Sequence, residues 1–197
     1  MRKPYLLLGV LFMLVSGCTT VPPKNINNAC AIVQQYPSWY YDSLNSYKKW
    51  GVPISTQLAI IHKESHFIAN AKTSMNYTFG FIPTGRRSTA YGYAQALDGT
   101  WQHYQRDTGN NWASRSNFAD AVDFIGWYGN RAHRLAGISK SNTYALYLAY
   151  HQGIAAYKKG SYRNKRWLID YANQAQQIAY KYSSQLRQCK IPAKSWW

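Results

Sequence analysis

Glu64 is the only glutamate in this chain of 197 residues, and it follows Ile60-Ile61-His62-Lys63 and precedes Ser65-His66-Phe67. Glutamate is normally among the commonest residues of globular proteins, so a single copy draws attention to its position. A carboxyl group with apolar neighbours keeps its proton to a higher pH, because burial disfavours the charged form. Such a group can serve as a general acid near neutral pH. The sequence therefore makes Glu64 the candidate catalytic residue.

The apolar residues before Glu64 predict a helix that places it beside the core. Ile54, Leu58 and Ile61 follow one another at positions i, i+4 and i+7, the spacing of one helix face. Pro53 suits the start of that helix, where its missing N–H costs nothing. Glu64 follows Ile61 by three residues, so we expect its carboxyl at the edge of the core-facing side.

Helical periodicity continues through most of the chain. Further helices are predicted at residues 38–50 before Gly51, 97–108 before Gly109, 118–135 after Asn117, 144–151 after Ser141 or Asn142, and 167–188. Residues 69–91 are rich in Gly, Thr, Ser and Asn, which predicts a long loop with room for a small β-hairpin. Strand-like alternation is nearly absent, so the predicted fold class is mainly α.

The charge balance favours a polyanionic partner. Twenty-three Lys and Arg face seven acidic residues, giving a formal net charge of +16. Nucleic acid, anionic lipid and cell-wall polymers all fit this surplus, and a basic surface that only aids solubility is the alternative. Eighteen Tyr and eight Trp add flat rings that suit sugar faces and bases, although most such rings build cores.

The N-terminal residues predict export. Met1 to Lys3 is positively charged, and Tyr5 to Val15 is apolar but too short for a stable transmembrane helix. Leu14-Val15-Ser16-Gly17-Cys18 resembles a bacterial lipobox, in which cleavage leaves Cys18 as the lipid-modified N-terminus. An ordinary secretory signal with an incidental cysteine is the alternative. The residue after Cys18 is Thr19 and not Asp. By resemblance to lipoprotein sorting signals, this favours an outer-membrane lipoprotein that faces the periplasm.

These signals divide the chain into four parts. We expect a signal peptide at residues 1–17, a lipid-anchored tether at 18–29, a folded domain at 30–190 and a C-terminal tail at 191–197. Cys30 and Cys189 bracket the folded domain in an oxidising compartment, so a disulfide between them is the simple pairing. Two buried free thiols are the alternative.

Three short motifs occur in an order that resembles a known enzyme family. They are Glu64-Ser65 at a helix end, Gly92-Tyr93-Ala94-Gln95 before a helix, and Ala149-Tyr150-His151-Gln152-Gly153 at another helix end. This order resembles the soluble-lytic-transglycosylase (SLT) family of the lysozyme superfamily, whose motifs read Glu-Ser, Gly-Leu-Met-Gln and Ala-Tyr-Asn-x-Gly. Tyr171 in the last helix matches a fourth family position.

The resemblance implies a single globular domain with a goose-type-lysozyme-like fold. It also implies cleavage of the β-1,4 bond between N-acetylmuramic acid and N-acetylglucosamine in peptidoglycan. In that chemistry one glutamate protonates the glycosidic oxygen and then takes the proton of the muramoyl C6 hydroxyl, which gives a 1,6-anhydro product without water. Most hydrolysing glycosidases need two carboxylates instead. A lysozyme-like hydrolase, with Asp98 as second carboxylate, and a catalytically inactive cell-wall-binding lipoprotein are the alternatives.

The resemblance further implies which residues contact substrate: Ser65, Gly92, Tyr93, Gln95, Tyr150, His151 and Tyr171. The alternative role of Ser65 is hydrogen bonding at the helix end. The alternative for Tyr150 and Tyr171 is an ordinary position in the core. Tyr93-Ala94 replaces the family's Leu-Met, so saccharide packing there should differ. His151 replaces the family's Asn, which adds an imidazole that titrates near neutral pH.

A zinc site is the rival use of the residues around Glu64. His62 and His66 are spaced i, i+4, but in the zinc signature the glutamate directly follows the first histidine. Third ligands would have to come from His103, His133 or His151, none at a recognisable spacing. We therefore expect no metal and no cofactor.

The expected partners are peptidoglycan strands and, through lipid on Cys18, a membrane. Nucleic acid is not expected, because the lipobox exports the chain and no base-reading motif is present. The oligomeric state stays open, with a monomer as the simplest expectation.

Overall fold

Helices dominate the computed structural model, which describes residues 20–79 and 81–194. The elements are α1 (Ala29–Gln35), α2 (Pro37–Trp50), α3 (Ile54–Ser65), β1 (Met75–Thr78), β2 (Ile82–Arg86), α4 (Asp98–Thr108), α5 (Phe118–Ala136), α6 (Thr143–Gln152), α7 (Ile154–Lys158) and α8 (Arg166–Arg187). The mainly α class is confirmed. The hairpin for which residues 69–91 left room is present as the antiparallel pair β1–β2. Helices α1 and α7 were not predicted.

Local capping explains why the predicted helices end near the predicted residues. Gly51 and Gly109 follow α2 and α4 in the left-handed conformation, with φ of 79° and 71°, which glycine adopts without a steric penalty. The Asn117 side chain accepts the Asp120 N–H at the start of α5, and the Asn142 side chain accepts the Ala145 N–H at the start of α6.

The core lies between α2, α3, α5, α6 and α8. Helix α2 packs on α5, while α8 packs on both α3 and α6. The rings of Trp39 and Phe118 stack at 4.0 Å, and Tyr93 meets both edge-on. Helix α3 is buried along most of its length. Its last turn, which carries Glu64, therefore rests on a well-packed support.

The end of α3 is sharply defined. His66 and Phe67 both adopt the left-handed conformation, with φ of 51° and 64°, which is uncommon for residues other than glycine. The His66 N–H still bonds the His62 carbonyl, and the Phe67 ring is fully buried. Burial of Phe67 compensates for this backbone conformation and fixes where the chain leaves the helix, one residue after Ser65.

The segment expected to be a tether is instead packed on the domain from residue 21 onward. The Tyr36 hydroxyl donates to the Val21 carbonyl at 2.7 Å, and the Tyr182 hydroxyl donates to the Ile26 carbonyl. The Gln185 amide donates to the Asn27 carbonyl at 3.2 Å. These contacts join the N-terminal segment to α8, so the predicted start of the domain at residue 30 is too late.

The two ends of the domain are also joined covalently. Cys30 and Cys189 form a disulfide with Cα atoms 5.4 Å apart, which confirms the predicted pairing. Part of the expected C-terminal tail is packed as well, since the Tyr41 hydroxyl donates to the Pro192 carbonyl at 2.8 Å. The predicted signal peptide and the lipidation of Cys18 lie outside the described residues.

None of the helices in residues 20–79 and 81–194 has the length and apolar character needed to cross a membrane.

Candidate active site

The Glu64 carboxyl occupies the last turn of α3 in a partly buried position. Its Oε1 atom is buried and has no hydrogen-bond partner among the described residues. Burial raises the pKa of Glu64 to about 7, against a hydrogen bond with Tyr147 and the charge of Lys63, which both lower it. Desolvation exceeds these two opposing effects because no cation or strong donor reaches Oε1 directly. A carboxyl group with such a pKa gives and takes a proton readily at neutral pH.

Two tyrosines of α6 face Glu64. Tyr147 and Tyr150 are three residues apart, so they share one side of the helix. Burial first, and the Glu64 charge second, raise the pKa of each tyrosine. Both hydroxyls therefore stay protonated at neutral pH and can each donate one hydrogen bond. Tyr147 was not among the site residues predicted from the sequence, although its position three residues before Tyr150 was a usable signal.

The Tyr150 hydroxyl connects α6 to the loop of the Gly92-Tyr93-Ala94-Gln95 motif. It donates to the Ala94 carbonyl at 2.5 Å. This contact brings the second and third sequence motifs together beside the first. Tyr150 thus lies within the electrostatic reach of Glu64 and also holds the loop in place.

Glycine is required at position 92. Gly92 has φ of 79°, and a Cβ atom there would lie 2.0 Å from the Arg115 carbonyl oxygen. Its N–H donates to the Ala71 carbonyl at 2.9 Å, and the next N–H, of Tyr93, donates to the Arg115 carbonyl at 3.1 Å. Close packing of backbone on both sides fixes the path of the loop.

Gln95 is held in an unusual backbone conformation with φ of 46°. Its Nε2 group donates to the carbonyls of Ala71 and Gly92, both at 2.9 Å. These bonds use both amide hydrogens, so the oxygen Oε1 is the group that Gln95 has left for a ligand.

A small cavity lies where this loop meets the end of α6. Its volume is about 200 Å³ and it is lined by Gln95, Leu97, Thr100, Tyr128, Tyr150, His151, Gln152 and neighbouring residues. We call it the site cavity. It gathers Gln95, Tyr150 and His151, three residues that the sequence analysis assigned to substrate contact.

His151 lies at the exposed rim of the site cavity. Its ring meets the Trp167 ring edge-on at 5.1 Å, and its Nδ1 accepts from the Gln152 amide at 3.3 Å. Partial burial of the ring and the nearby Lys165 lower the pKa of His151. The imidazole is therefore largely neutral at pH 7 and presents a rim that can hydrogen bond without adding charge.

Three other predicted site residues have different surroundings. Ser65 is buried and its hydroxyl donates to the Ile61 carbonyl at 3.3 Å, the helix-end bonding that was its alternative role. Tyr171 is 45% exposed, with the Lys63 ammonium 3.9 Å from its ring centroid. Tyr93 is only 1% exposed and packs in the core. The expectation that Tyr93 contacts a saccharide is therefore wrong for the structure as it stands, because its ring is covered by Trp39 and Phe118.

The six aspartates are the other acidic side chains of the chain, and each has its own partners or surroundings. Asp98 pairs with Arg115, Asp107 with Arg131 and His103, Asp120 accepts the Ser114 N–H, Asp123 accepts from Trp50 and Tyr104, Asp42 lines a separate cavity beside Ser116 and Asn117, and Asp170 is exposed. Asp170 lies about 200° around α8 from the buried Leu168, and thus on its solvent side. The charge that acts on the pKa of Glu64 is that of Lys63, not that of a second carboxylate.

Of the two histidines that flank Glu64, His62 packs in the interior and His66 is exposed. His62 is buried, and its Nδ1 lies 2.6 Å from the Tyr182 hydroxyl. Burial, with the nearby His66 and two lysines, lowers the pKa of His62 to about 4. Within residues 20–79 and 81–194, no group of three or more His, Cys, Asp or Glu is placed to hold a metal ion.

Comparison with known proteins gives one clear match. A family model described as "Transglycosylase SLT domain" matches residues 6–189. No curated protein matches the chain significantly. The matched range includes Glu64, the Gly92–Gln95 loop, the end of α6 and Tyr171.

Proposed function

The chain belongs to the transglycosylase SLT domain family, and from this premise we propose that it is a peptidoglycan lytic transglycosylase in which Glu64 acts first as acid and then as base. The family implies a glycosyl-cleaving enzyme of bacterial cell walls. The single-residue mechanism, the product and the individual site residues are our proposal.

The environment of Glu64 is the observation that carries this proposal. A pKa of about 7 leaves the carboxyl partly protonated and partly ionised at neutral pH. The protonated form is needed to protonate a leaving oxygen, and the ionised form is needed to accept a proton later. The buried Oε1 has no hydrogen-bond partner among the described residues, so no protein hydrogen bond has to be broken when it gives or takes a proton.

The first step breaks the bond between C1 of the muramoyl sugar and the bridging oxygen. Glu64 gives its proton to that oxygen, which leaves as the hydroxyl of the next sugar with the electron pair of the broken bond. Positive charge then develops at C1. We assign its stabilisation to the 2-acetamido group of the substrate, because no second carboxylate acts on Glu64 in the part of the chain that the structure describes.

The second step closes a ring within the product. The ionised Glu64 takes the proton of the C6 hydroxyl while that oxygen forms a bond to C1. The glutamate is thereby protonated again, and the product carries a 1,6-anhydro bridge. The proton given in the first step equals the proton taken in the second, so one carboxyl completes the cycle and no water is consumed.

The surrounding residues are proposed to hold the sugar in place. Gln95 offers Oε1 to an amide N–H of the N-acetyl groups, since its Nε2 is already bonded. Gly92 permits the close loop path, and Tyr150 joins that loop to α6. Tyr147 tunes the acidity of Glu64.

The rim of the site completes this assignment. His151 and Tyr171 lie at exposed positions and are proposed to contact outer parts of the glycan. Ser65 is proposed to act through the end of α3 that it bonds.

The N-terminal signals extend the proposal to location. Lipid on Cys18 would place the enzyme on the outer membrane, facing the periplasm, with the folded domain starting shortly after the anchor. Contacts of residues 21–27 with Tyr36 and with α8 support a short connection.

Digestion of purified peptidoglycan tests the assignment of Glu64. We expect the full chain to release anhydro-muropeptides, identified by mass, and Glu64→Gln to release none. Asp98→Asn is the matched control, because it also neutralises a carboxylate but one that pairs with Arg115. Equal activity of Glu64→Gln would remove the site assignment. Loss of activity in Asp98→Asn, with hydrated ends from the parent, would favour a hydrolase.

A further inference from the structure

A second and larger cavity lies beside the site cavity. Its volume is about 500 Å³, and it lies between the start of α4, the second half of α5 and α7. We call it the side cavity. It is lined by Gly99, Thr100, His103, Trp127, Tyr128, Arg131, Leu135, Ile154, Ala155 and Lys158. Apart from Thr100 and Tyr128, which also line the site cavity, no residue of the side cavity has a role in the proposed reaction.

The two cavities adjoin one another. Thr100 and Tyr128 line both, and Ile154 of the side cavity directly follows Gly153 of the site cavity. A branch that leaves a sugar bound near Gln95 and Tyr150 would therefore enter the side cavity. A continuous surface of this kind suits one ligand with two chemically different parts.

The lining combines apolar and cationic groups. Trp127, Leu135 and Ile154 supply the apolar surface, and Arg131 and Lys158 supply positive charge. Arg131 is held by Asp107 at 3.3 Å and lies over the Trp127 ring at 5.1 Å, so its charge is partly neutralised and its position is fixed.

Of the two cationic side chains that line the side cavity, Lys158 is the one available to bind a ligand. It is exposed at the end of α7, and its ammonium group makes no hydrogen bond or ion pair with the residues that the structure describes. An apolar wall with an unpaired cation at its edge suits a small acidic peptide better than it suits a neutral sugar.

We propose that the side cavity binds the acidic peptide stem on the lactyl group of the muramic acid next to the cleaved bond, so that the enzyme prefers peptide-bearing over denuded strands. This inference rests on the proposed function. A stem places methyl groups and carboxylates several bonds away from the sugar, where the apolar wall and Lys158 receive them. A denuded strand keeps its carboxylate on the short lactyl ether and leaves the side cavity empty.

Charge reversal at Lys158 tests the proposal with a matched control one residue away. Lys158 lines the side cavity, whereas Lys159 is also exposed but does not line it. Lys158→Glu and Lys159→Glu change the net charge equally, so they alter long-range attraction to the anionic strand in the same way. The measured quantity is kcat/KM of the full chain on intact strands and on strands stripped of peptide by an amidase.

We expect the parent to prefer peptide-bearing strands, and Lys158→Glu to lower kcat/KM on them by about fivefold, since an exposed ion pair contributes up to about that factor. On denuded strands this variant should resemble Lys159→Glu, which should keep the parent's preference. Equal loss on both strands in Lys158→Glu would mean that the cavity holds sugar. An unchanged preference would mean that it holds nothing. Either result overturns the proposal.

A binding measurement separates this inference from the proposed function. Soluble disaccharide-peptide and plain disaccharide are titrated against Glu64→Gln, with and without Lys158→Glu. Tighter, Lys158-dependent binding of the peptide form supports the side cavity even if the parent cleaves neither strand, in which case only the proposed reaction fails. Equal binding of the two ligands overturns the proposal that the side cavity binds the peptide stem, even if the parent cleaves both strands.

Discussion

Tyr147 on α6 and Glu64 on α3 lie close enough for each to shift the pKa of the other, so the two helices meet at the ionisable group on which the proposed reaction depends. This contact favours the ionised carboxylate, whereas burial favours the protonated acid. The pKa of about 7 is the balance of these two opposing effects. Tyr147 is 2% exposed, so this interaction is shielded from solvent.

Replacing Tyr147 with Phe should raise the pKa of Glu64 further, because the hydrogen bond that lowers it is removed. We expect the alkaline limb of the kcat/KM–pH profile to move upward from about pH 7. Tyr144→Phe, on the same helix, is the control and should leave the limb in place. A downward or absent shift in Tyr147→Phe would show that this hydroxyl does not tune Glu64.

The pH dependence of the free energy of unfolding should also reflect the raised pKa of Glu64. Its pKa is about 4.5 in an unfolded chain and about 7 in the folded one, so the folded state retains the proton to higher pH. The free energy of unfolding therefore loses a contribution as pH rises from about 4.5 to 7, and the loss is complete above 7. Glu64→Gln has no such loss.

Urea unfolding of the parent and Glu64→Gln at several pH values measures this difference. The variant should gain about 1–2 kcal/mol over the parent between pH 4 and pH 8, less than the full shift implies because the residue is partly exposed. A difference between the two proteins that does not change with pH would contradict the raised pKa.

Gly92→Ala should damage the site more than an equivalent change elsewhere. The new Cβ atom would lie 2.0 Å from the Arg115 carbonyl oxygen, so the loop that carries Gln95 must move. We expect a loss of at least about 2 kcal/mol in stability and a large fall in kcat. Gly109→Ala is the control, since φ there is also positive but nothing lies within 4 Å of the new atom. Similar effects of the two changes would show that the close packing at Gly92 is unimportant.

Removing the Cys30–Cys189 disulfide should lower the stability of the domain without altering its chemistry. The bond closes a loop with a sequence separation of 159 residues, for which the chain-entropy model gives about 4–5 kcal/mol. Cys30→Ser with Cys189→Ser should unfold at lower urea concentration and keep its kcat at low temperature. A reducing agent should destabilise the parent alone. A lower kcat in a variant that is still folded would instead connect the disulfide to the site.

Much of the fold could be predicted because the signals are local. Gly51, Gly109 and Asn117 end or start helices through contacts with residues a few positions away, and such contacts follow from the sequence directly. The position of Glu64 at the end of α3 followed from helix periodicity for the same reason.

Other features depend on contacts between distant residues. Tyr93 is buried because Trp39 and Phe118 cover it, and neither burial nor its partners can be read from a motif position. Tyr147 became important only when α6 packed against the same surface as α3. The N-terminal segment looked like a tether because its partners on α8 are more than 150 residues away, as in the bond between Ile26 and Tyr182.

The source of the oxygen at the cleaved C1 tests most directly whether one glutamate acts as acid and then as base. Peptidoglycan is digested by the parent in water enriched with heavy oxygen, and the muropeptides are weighed. The single-glutamate cycle predicts anhydro products, lighter than the hydrated sugar by one water, with no heavy oxygen incorporated. Reducing ends that carry heavy oxygen would show that water attacks C1 and would contradict the mechanism.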